Sequence, residues 1–204
     1  AGISRVADSL EPTGGLAAAE AIMTTDTVPK STTVNGDGFV VGGIAKGAAM
    51  LEPNMATMLA VLTTDVAVDP TTATGLLQGA VSTSFNCLTV DGAESTNDTV
   101  LLLASGRAGP TDLPVFGRAL SAACRDLAVQ MADDAEGSTK TVFLTVTGAA
   151  TNAEAALAAR HTANCQLVKC SWYGQDPYWG RIAAQMGAAG IAFDPETITI
   201  DYGG

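Results

Sequence analysis

The chain has 204 residues, a mass of 20.5 kDa, a formal net charge of -11 and a pI near 4.2. Its 47% hydrophobic and 15% charged residues describe a globular chain with material for one large or two modest domains, not a disordered one. The acidic balance argues against nucleic acid or an anionic membrane surface as the main partner, and no apolar run approaches the roughly 18 residues of a membrane span.

The first thirty residues predict helix, turn, helix. Ile3 to Leu10 stops at Glu11-Pro12-Thr13-Gly14-Gly15, and the alanine-rich Leu16 to Met23 runs out into Thr24-Thr25-Asp26-Thr27 before Pro29. The N-terminal Ala1-Gly2-Ile3-Ser4-Arg5 lacks the charged-then-apolar pattern of a signal peptide, so a cytoplasmic location is expected. Ser31 to Val34 and Phe39 to Ala45 flank Asn35-Gly36-Asp37-Gly38, a strong hairpin signal, and Lys46 emerges from the end of the second strand. A lysine there is either a solvated cation or, beside a reactive group, a point charge for a carboxylate.

Next comes Lys46-Gly47-Ala48-Ala49-Met50-Leu51-Glu52-Pro53-Asn54-Met55-Ala56-Thr57, leading into the apolar run Met58 to Leu62. Thr57 is a lone hydroxyl at the mouth of that run, where a chain would set a nucleophile, and it is equally an ordinary first residue of a buried strand. Met58 to Leu62 lacks polar alternation and predicts a strand covered on both faces. Asp69-Pro70 opens a helix whose apolar face is Leu76, Leu77, Ala80, Val81 and Phe85. The polar run Asp91 to Thr99 precedes a strand from Val100 to Ala104.

A long helix follows from Leu113 to Met131, with Val115, Phe116, Leu120, Cys124, Leu127 and Met131 on one side, ending in Asp133-Asp134-Ala135-Glu136-Gly137. An acid at a helix C-terminus opposes the dipole by roughly 0.3 to 1 kcal/mol, so Glu136 is either solvated or compensated by a cation. Beyond Gly137 we expect strand Thr141 to Thr147, helix from Asn152, strand Leu167 to Tyr173, a helix after Asp176-Pro177, and strand Thr197 to Tyr202, a smaller βαβαβ domain over 138–204. Cys87, Cys124, Cys165 and Cys170 form no C-x-x-C pair and are expected to be reduced. His161, Cys165 and Cys170 lack a fourth ligand at a zinc spacing, so no metal is expected.

Several of these stretches together resemble the ornithine acetyltransferase family, also called glutamate N-acetyltransferase. Lys46-Gly47, Met50, Pro53, Met55 to Leu59 and Thr63-Thr64-Asp65 are similar to its self-cleavage segment. Ala21 to Thr27 with Pro29-Lys30, Ser95 to Thr99, and Ala135-Glu136-Gly137 with Thr139-Lys140 match further elements, and Gly174 to Arg181 is similar to its Asp-Pro-Asn-Trp-Gly-Arg element, with Tyr178 for asparagine. The resemblance implies autoproteolysis between Ala56 and Thr57, then acetyl transfer from N-acetylornithine to glutamate on Thr57, with Thr24, Lys46, Thr57 and Glu136 in substrate contact. Thr57 needs a base, and cleavage supplies one, its own α-amine, whose ordinary pKa of about 7.7 to 8.0 suits proton acceptance near neutrality. Ala56 leaves room for the hydroxyl to reach the preceding carbonyl.

The resemblance also implies a mixed α/β fold, a layered α-β-β-α sandwich to which 1–137 contributes, with the smaller α/β domain after it. Further implications are an α2β2 assembly of cleaved chains, no cofactor, and acetyl-CoA as a second donor substrate in bifunctional members. For Gly174 to Arg181 the preferred role is helix capping, with Trp179 as an anchor. Two departures stand out: Ala49 occupies a position where the family carries glycine, which restricts the backbone if that position needs positive φ, and the family's N-terminal oxyanion-hole element and C-terminal substrate contacts do not occur. Two other classes remain: a self-cleaving N-terminal-nucleophile aminopeptidase or amidase, which gives its product to water, and an inactive truncated copy serving as a structural module.

Overall fold

A computed structural model describes residues 2–51, 58–93 and 96–203. Helices α1 (Gly2–Asp8) and α2 (Gly15–Ala21) come first; α1 buries none of its residues and α2 buries Ala19. The predicted hairpin follows as β1 (Lys30–Asn35) and β2 (Val40–Lys46), antiparallel with Lys30 opposite Ala45. Gly38 takes φ 77°, a left-handed conformation that glycine adopts without steric cost, which is what the tight turn needs.

Strand β3 (Leu59–Val66) lies antiparallel to β2, with Leu59 opposite Lys46, and β4 (Thr99–Gly109) runs parallel to β3, giving one sheet in the order β1-β2-β3-β4. A parallel neighbour requires a crossover, and α3 (Pro70–Ser82) supplies it. The Asp69 carboxylate accepts from Thr71 N and Thr72 N, both at 3.0 Å, and Pro70 fills the first turn, as predicted for this helix start. Helix α4 (Leu113–Asp133) begins at Asp112, which accepts from Val115 N at 3.0 Å.

The core lies between one face of the sheet and α3 with α4. Val41, Ala45, Ala60, Leu62 and Val66 meet Phe116, Leu120, Cys124, Leu127 and Met131 of the predicted α4 stripe, with Ala123 buried beside them and Val115 half-buried at the edge. Fully burying side chains of the Leu, Phe or Met size contributes roughly 1.5 to 3 kcal/mol each, so this face fixes α4 and the turn that follows it. Burial also pushes the Cys124 thiol up to about 12, leaving it a core residue without thiolate chemistry.

Strand β3 departs from expectation. Ala60, Leu62, Thr64 and Val66 are buried, while the alternate residues Leu59, Val61, Thr63 and Asp65 are exposed or half-buried, so among the described residues only one face is covered. The run was unbroken because both faces carry apolar side chains; α3 and α4 cover one, and Leu59, Leu101 and Leu103 stand exposed on the other.

The region after Gly137 differs more. It forms α5 (Asn152–Ala163), α6 (Gln166–Tyr173) and α7 (Trp179–Ala188) around Ala158, Val168, Ile182, Met186 and Ala189, and no strand occurs there among the described residues. The strand expected over Leu167 to Tyr173 is α6, because the buried Val168 and Ser171 recur at helical and not at alternating spacing. Thr141 to Thr147 and Thr197 to Tyr202 have strand composition but no ladder partner among the described residues, and composition without a partner does not make a sheet. Their Val146, Ile198 and Ile200 pack on the small helical cluster instead. The α5 and α7 positions follow the predicted helix starts.

Candidate functional site

Lys46 is the last residue of β2, carried by the hairpin to the end of the sheet. It is 7% exposed, and its Nζ donates to Thr24 Oγ1 at 3.3 Å. Among the described residues no carboxylate lies within 4.0 Å of it; the recorded ion pairs both belong to Lys30. A buried ammonium with one neutral hydrogen bond is costly unless something charged completes its shell.

Gly47 follows with φ 153°, and a Cβ there would meet Met131 Cε at 2.7 Å, so the absence of a side chain lets this turn lie against α4. Ala49 does not take positive φ; among the described residues of the segment Gly47 does, and so does Met50, φ 51°, whose N donates to Asp91 Oδ2 at 2.6 Å. Val90 N donates to Leu51 O at 3.0 Å, Met58 N to Asp98 Oδ1 at 2.7 Å and Thr99 N to Met58 O at 3.1 Å. The polar run Asp91 to Thr99, whose Ser95 to Thr99 matches a family element, therefore holds Met50 through Asp91 and Met58 through Asp98 and Thr99, with Val90 just before it holding Leu51. Burial pushes the Asp98 carboxyl above its ordinary value, against the Met58 N–H and the Lys46 charge, which pull it down.

Ala56 and Thr57, the expected cleavage site and nucleophile, lie outside the described residues. Thr24 and Lys46 are brought into direct contact. Glu136 reaches the same turn through its backbone, its N donating to Ala48 O at 2.8 Å, while its side chain is exposed at the rim of a cavity of about 580 Å³. Neither Thr24 nor Lys46 lines that cavity, which runs between Ser82 to Val90 and the Lys140, Lys169 and Trp172 region.

Sequence reasoning missed a buried charge network beneath these residues. Lys30, 0% exposed, donates through Nζ to Asp26 Oδ1 and Asp134 Oδ2, both at 2.6 Å. Asp26 also accepts from Gly47 N at 2.8 Å on Oδ1 and from Thr24 N at 3.2 Å on Oδ2. Asp134 accepts from Thr27 N at 2.9 Å and from the Thr27 hydroxyl. Burial alone would raise both carboxyls, but the hydrogen bonds and charge of Lys30, with the backbone donors, hold Asp26 below its ordinary value and Asp134 at about 2. The signal was available: acids at the end of α4 oppose its dipole and call for a cation, and the acid compensated is Asp134, not Glu136.

Of the capping role expected for Gly174 to Arg181, Gly174 fills part, closing the C-terminal end of α6 with its N donating to Cys170 O at 3.0 Å, whereas α7 starts at Trp179 without a side-chain cap and Trp179, expected as an anchor, is 65% exposed. Arg181 instead stacks on the Tyr178 ring and donates to Leu167 O at 2.8 Å. Among the described residues no group of three or more His, Cys, Asp or Glu side chains is arranged to hold a metal, and no helix is long and apolar enough to cross a membrane.

Fold and site together define a mixed α/β protein that presents, at the end of its sheet, a buried ammonium beside a hydroxyl with no carboxylate within 4.0 Å among the described residues. The ArgJ family model matches residues 1–204. The arginine biosynthesis bifunctional protein ArgJ of Mycolicibacterium paratuberculosis (strain ATCC BAA-968 / K-10) is 51% identical over 193 residues, covering 94% of this chain and 48% of that protein. Its counterpart from Thermobifida fusca (strain YX) is 45% identical over 205 residues, covering 100% of this chain and 54% of its own length. The crystal structure of the Bacillus halodurans arginine biosynthesis bifunctional protein argJ is similar with a TM-score of 0.62 and 40% identity, covering 65% of each chain. The chain belongs to the ArgJ family. It spans about half the length of the curated relatives it matches.

Proposed function

We propose that this chain is the part of an acetyltransferase that cuts itself between Ala56 and Thr57 and then moves an acetyl group from N-acetylornithine to glutamate. The observation that carries the reading is Lys46: a buried ammonium without a carboxylate partner among the described residues, opposite Leu59, which is two residues beyond Thr57. Donor and acceptor both present an α-carboxylate, the anion such a cation lacks. Thr24 adds a neutral hydrogen bond, and the Glu136 carboxylate suits the ammonium of an ornithine side.

In the first half-reaction the Thr57 hydroxyl adds to the acetyl carbonyl, its proton passing to the Thr57 α-amine. The carbon–nitrogen bond of the amide breaks, the departing amine takes that proton, and an acetyl ester remains on Thr57. The amine of glutamate then attacks the ester, returning the hydroxyl proton and leaving N-acetylglutamate. Acetyl-CoA is a second donor that delivers the same ester with a thiol as leaving group. No cofactor is needed for either step. A cytoplasmic location and an α2β2 assembly of the cleaved chains belong to the same reading, as does a sandwich whose second sheet covers the exposed Leu59, Leu101 and Leu103.

The test is processing followed by turnover in the full-length protein. Wild type should give two fragments, the second beginning at Thr57, and Thr57→Ala should stay whole. The processed enzyme should consume N-acetylornithine only with glutamate present. Consumption to free acetate without glutamate would instead make it a hydrolase, and an intact chain that transfers acetyl would remove the amine from the mechanism.

A further inference from the structure

Three segments carry the substrate-contact residues, and one buried ion network joins all three. Asp26 lies two residues from Thr24, its Oδ1 binds the N–H of the residue after Lys46, and Asp134 lies two residues before Glu136. We propose that Asp26 is the positioning residue of the substrate site, holding Thr24 and Lys46 together through its two carboxylate oxygens, with Lys30 and Asp134 fixing it from beneath. The inference rests on the acetyl-transfer reading of the same site.

The division of labour within the carboxylate carries the argument. Oδ2 accepts from Thr24 N at 3.2 Å, and Oδ1 accepts from Gly47 N at 2.8 Å as well as from Lys30 at 2.6 Å. The Gly47 N–H belongs to the peptide plane that carries the Lys46 carbonyl, so this bond fixes ψ of Lys46 and the exit direction of its neighbour chain. The Thr24 bond fixes the backbone from which Oγ1 reaches Lys46 Nζ at 3.3 Å. Lys30 is held at the first position of β1 by pairing with Ala45, so the sheet register itself sets where the carboxylate stands. Asp134 binds the other side of Lys30 and two residues later the chain bonds Ala48 through Glu136 N, bringing the Glu136 turn alongside. Surface ion pairs do little of this kind, but here Lys30 and Asp26 side chains are both 0% exposed, and a buried pair with its remaining valences satisfied favours one arrangement.

Asp26→Asn is a sharp test because an amide has only one acceptor oxygen. Its NH2 must face either Gly47 N–H or Thr24 N–H, so one of the two bonds is lost, while Lys30 keeps Asp134 as its partner. Asp134→Asn is the matched control: it perturbs the same network but touches Thr27 and Val28, not Thr24 or Gly47. In fully processed, folded, full-length enzyme, Asp26→Asn should raise KM for N-acetylornithine by roughly ten-fold or more with a smaller change in kcat, and Asp134→Asn by less than about three-fold. In the wild type, amide exchange should find Gly47 N–H protected, a measurement that holds whether or not the variants fold. Wild-type KM in folded Asp26→Asn, equal KM changes in the two variants, or an unprotected Gly47 N–H would each overturn the assignment. A processed wild type that transfers no acetyl would instead remove the functional reading beneath it.

Discussion

Replacing Asp134 by Asn should make the acid side of the stability profile flatter, by an amount the geometry sets. The carboxylate accepts from Lys30, Thr27 N and the Thr27 hydroxyl with its side chain 7% exposed, and these contacts hold it at about 2 against an ordinary 3.8. A folded value below the unfolded one means that the stabilisation is complete above the unfolded value and is lost as pH falls through the folded one. The difference corresponds to at most about 2 kcal/mol near neutrality, less what solvent at this partly open site screens, and about 1 kcal/mol of it should disappear between about pH 5 and about pH 3. Asp26, also held below its ordinary value, adds to the loss in the same direction. Urea unfolding of the chain across that range should show wild type losing stability faster than Asp134→Asn, with the two curves converging in acid. Parallel curves, or a variant that loses stability as steeply as wild type, would refute the claim that the ion network holds Asp134 ionised. The choice of Asp134 over Lys30 matters, because removing Lys30 strands two carboxylates and costs the fold for reasons unrelated to titration.

Lys46→Met keeps the stem and deletes the charge, so a processed variant should bind both N-acetylornithine and glutamate roughly ten-fold to a hundred-fold more weakly, read from KM in each half-reaction after the cleaved fraction has been measured. An unchanged KM for both would return Lys46 to a structural role. Glu136→Gln should weaken ornithine-side substrates by about ten-fold while leaving folding and glutamate KM nearly unchanged, as read from kcat/KM; a wild-type value would leave Glu136 as the exposed residue at the cavity rim and nothing more.

How much was legible depended on whether the governing interaction was local. The hairpin around Asn35 to Gly38, the Asp69-Pro70 helix start and the apolar stripe of α4 were legible because turn chemistry, capping and helical period act within a few residues. The strands expected over Thr141 to Thr147 and Leu167 to Tyr173 were not, because strand formation needs a partner elsewhere in the chain and aromatic or β-branched content is shared with buried helix faces. The family resemblance gave Thr24 and Lys46 as candidates but not their contact, which the β1-β2 register and the loop before β1 create together. The Lys30–Asp134 pair spans 104 residues and no pattern of spacing predicts it, although the acids at the end of α4 stated the need for a cation.

The same contrast explains why this chain keeps two lysines in buried positions with opposite fates. Lys30 is fully compensated by Asp26 and Asp134, so its charge is spent on holding the loop, the sheet end and the helix end in one arrangement. Lys46, 7% exposed, donates among the described residues only to the Thr24 hydroxyl, and the nearby Asp98 carboxylate acts on it through space without an ion pair within 4.0 Å. Burying an ammonium with so few close partners among the described residues is costly, and the Lys30 network and the core face of α4 fix the backbone that holds it there. On the proposed reading an entering carboxylate would offset that cost, so substrate binding at Lys46 would depend on rigidity supplied at Lys30. Loosening the network would let Lys46 turn toward solvent and relieve its own burial, stabilising the free state of the site at the expense of affinity. For that reason damage to Asp26 should be felt first in KM and only afterwards in the fold.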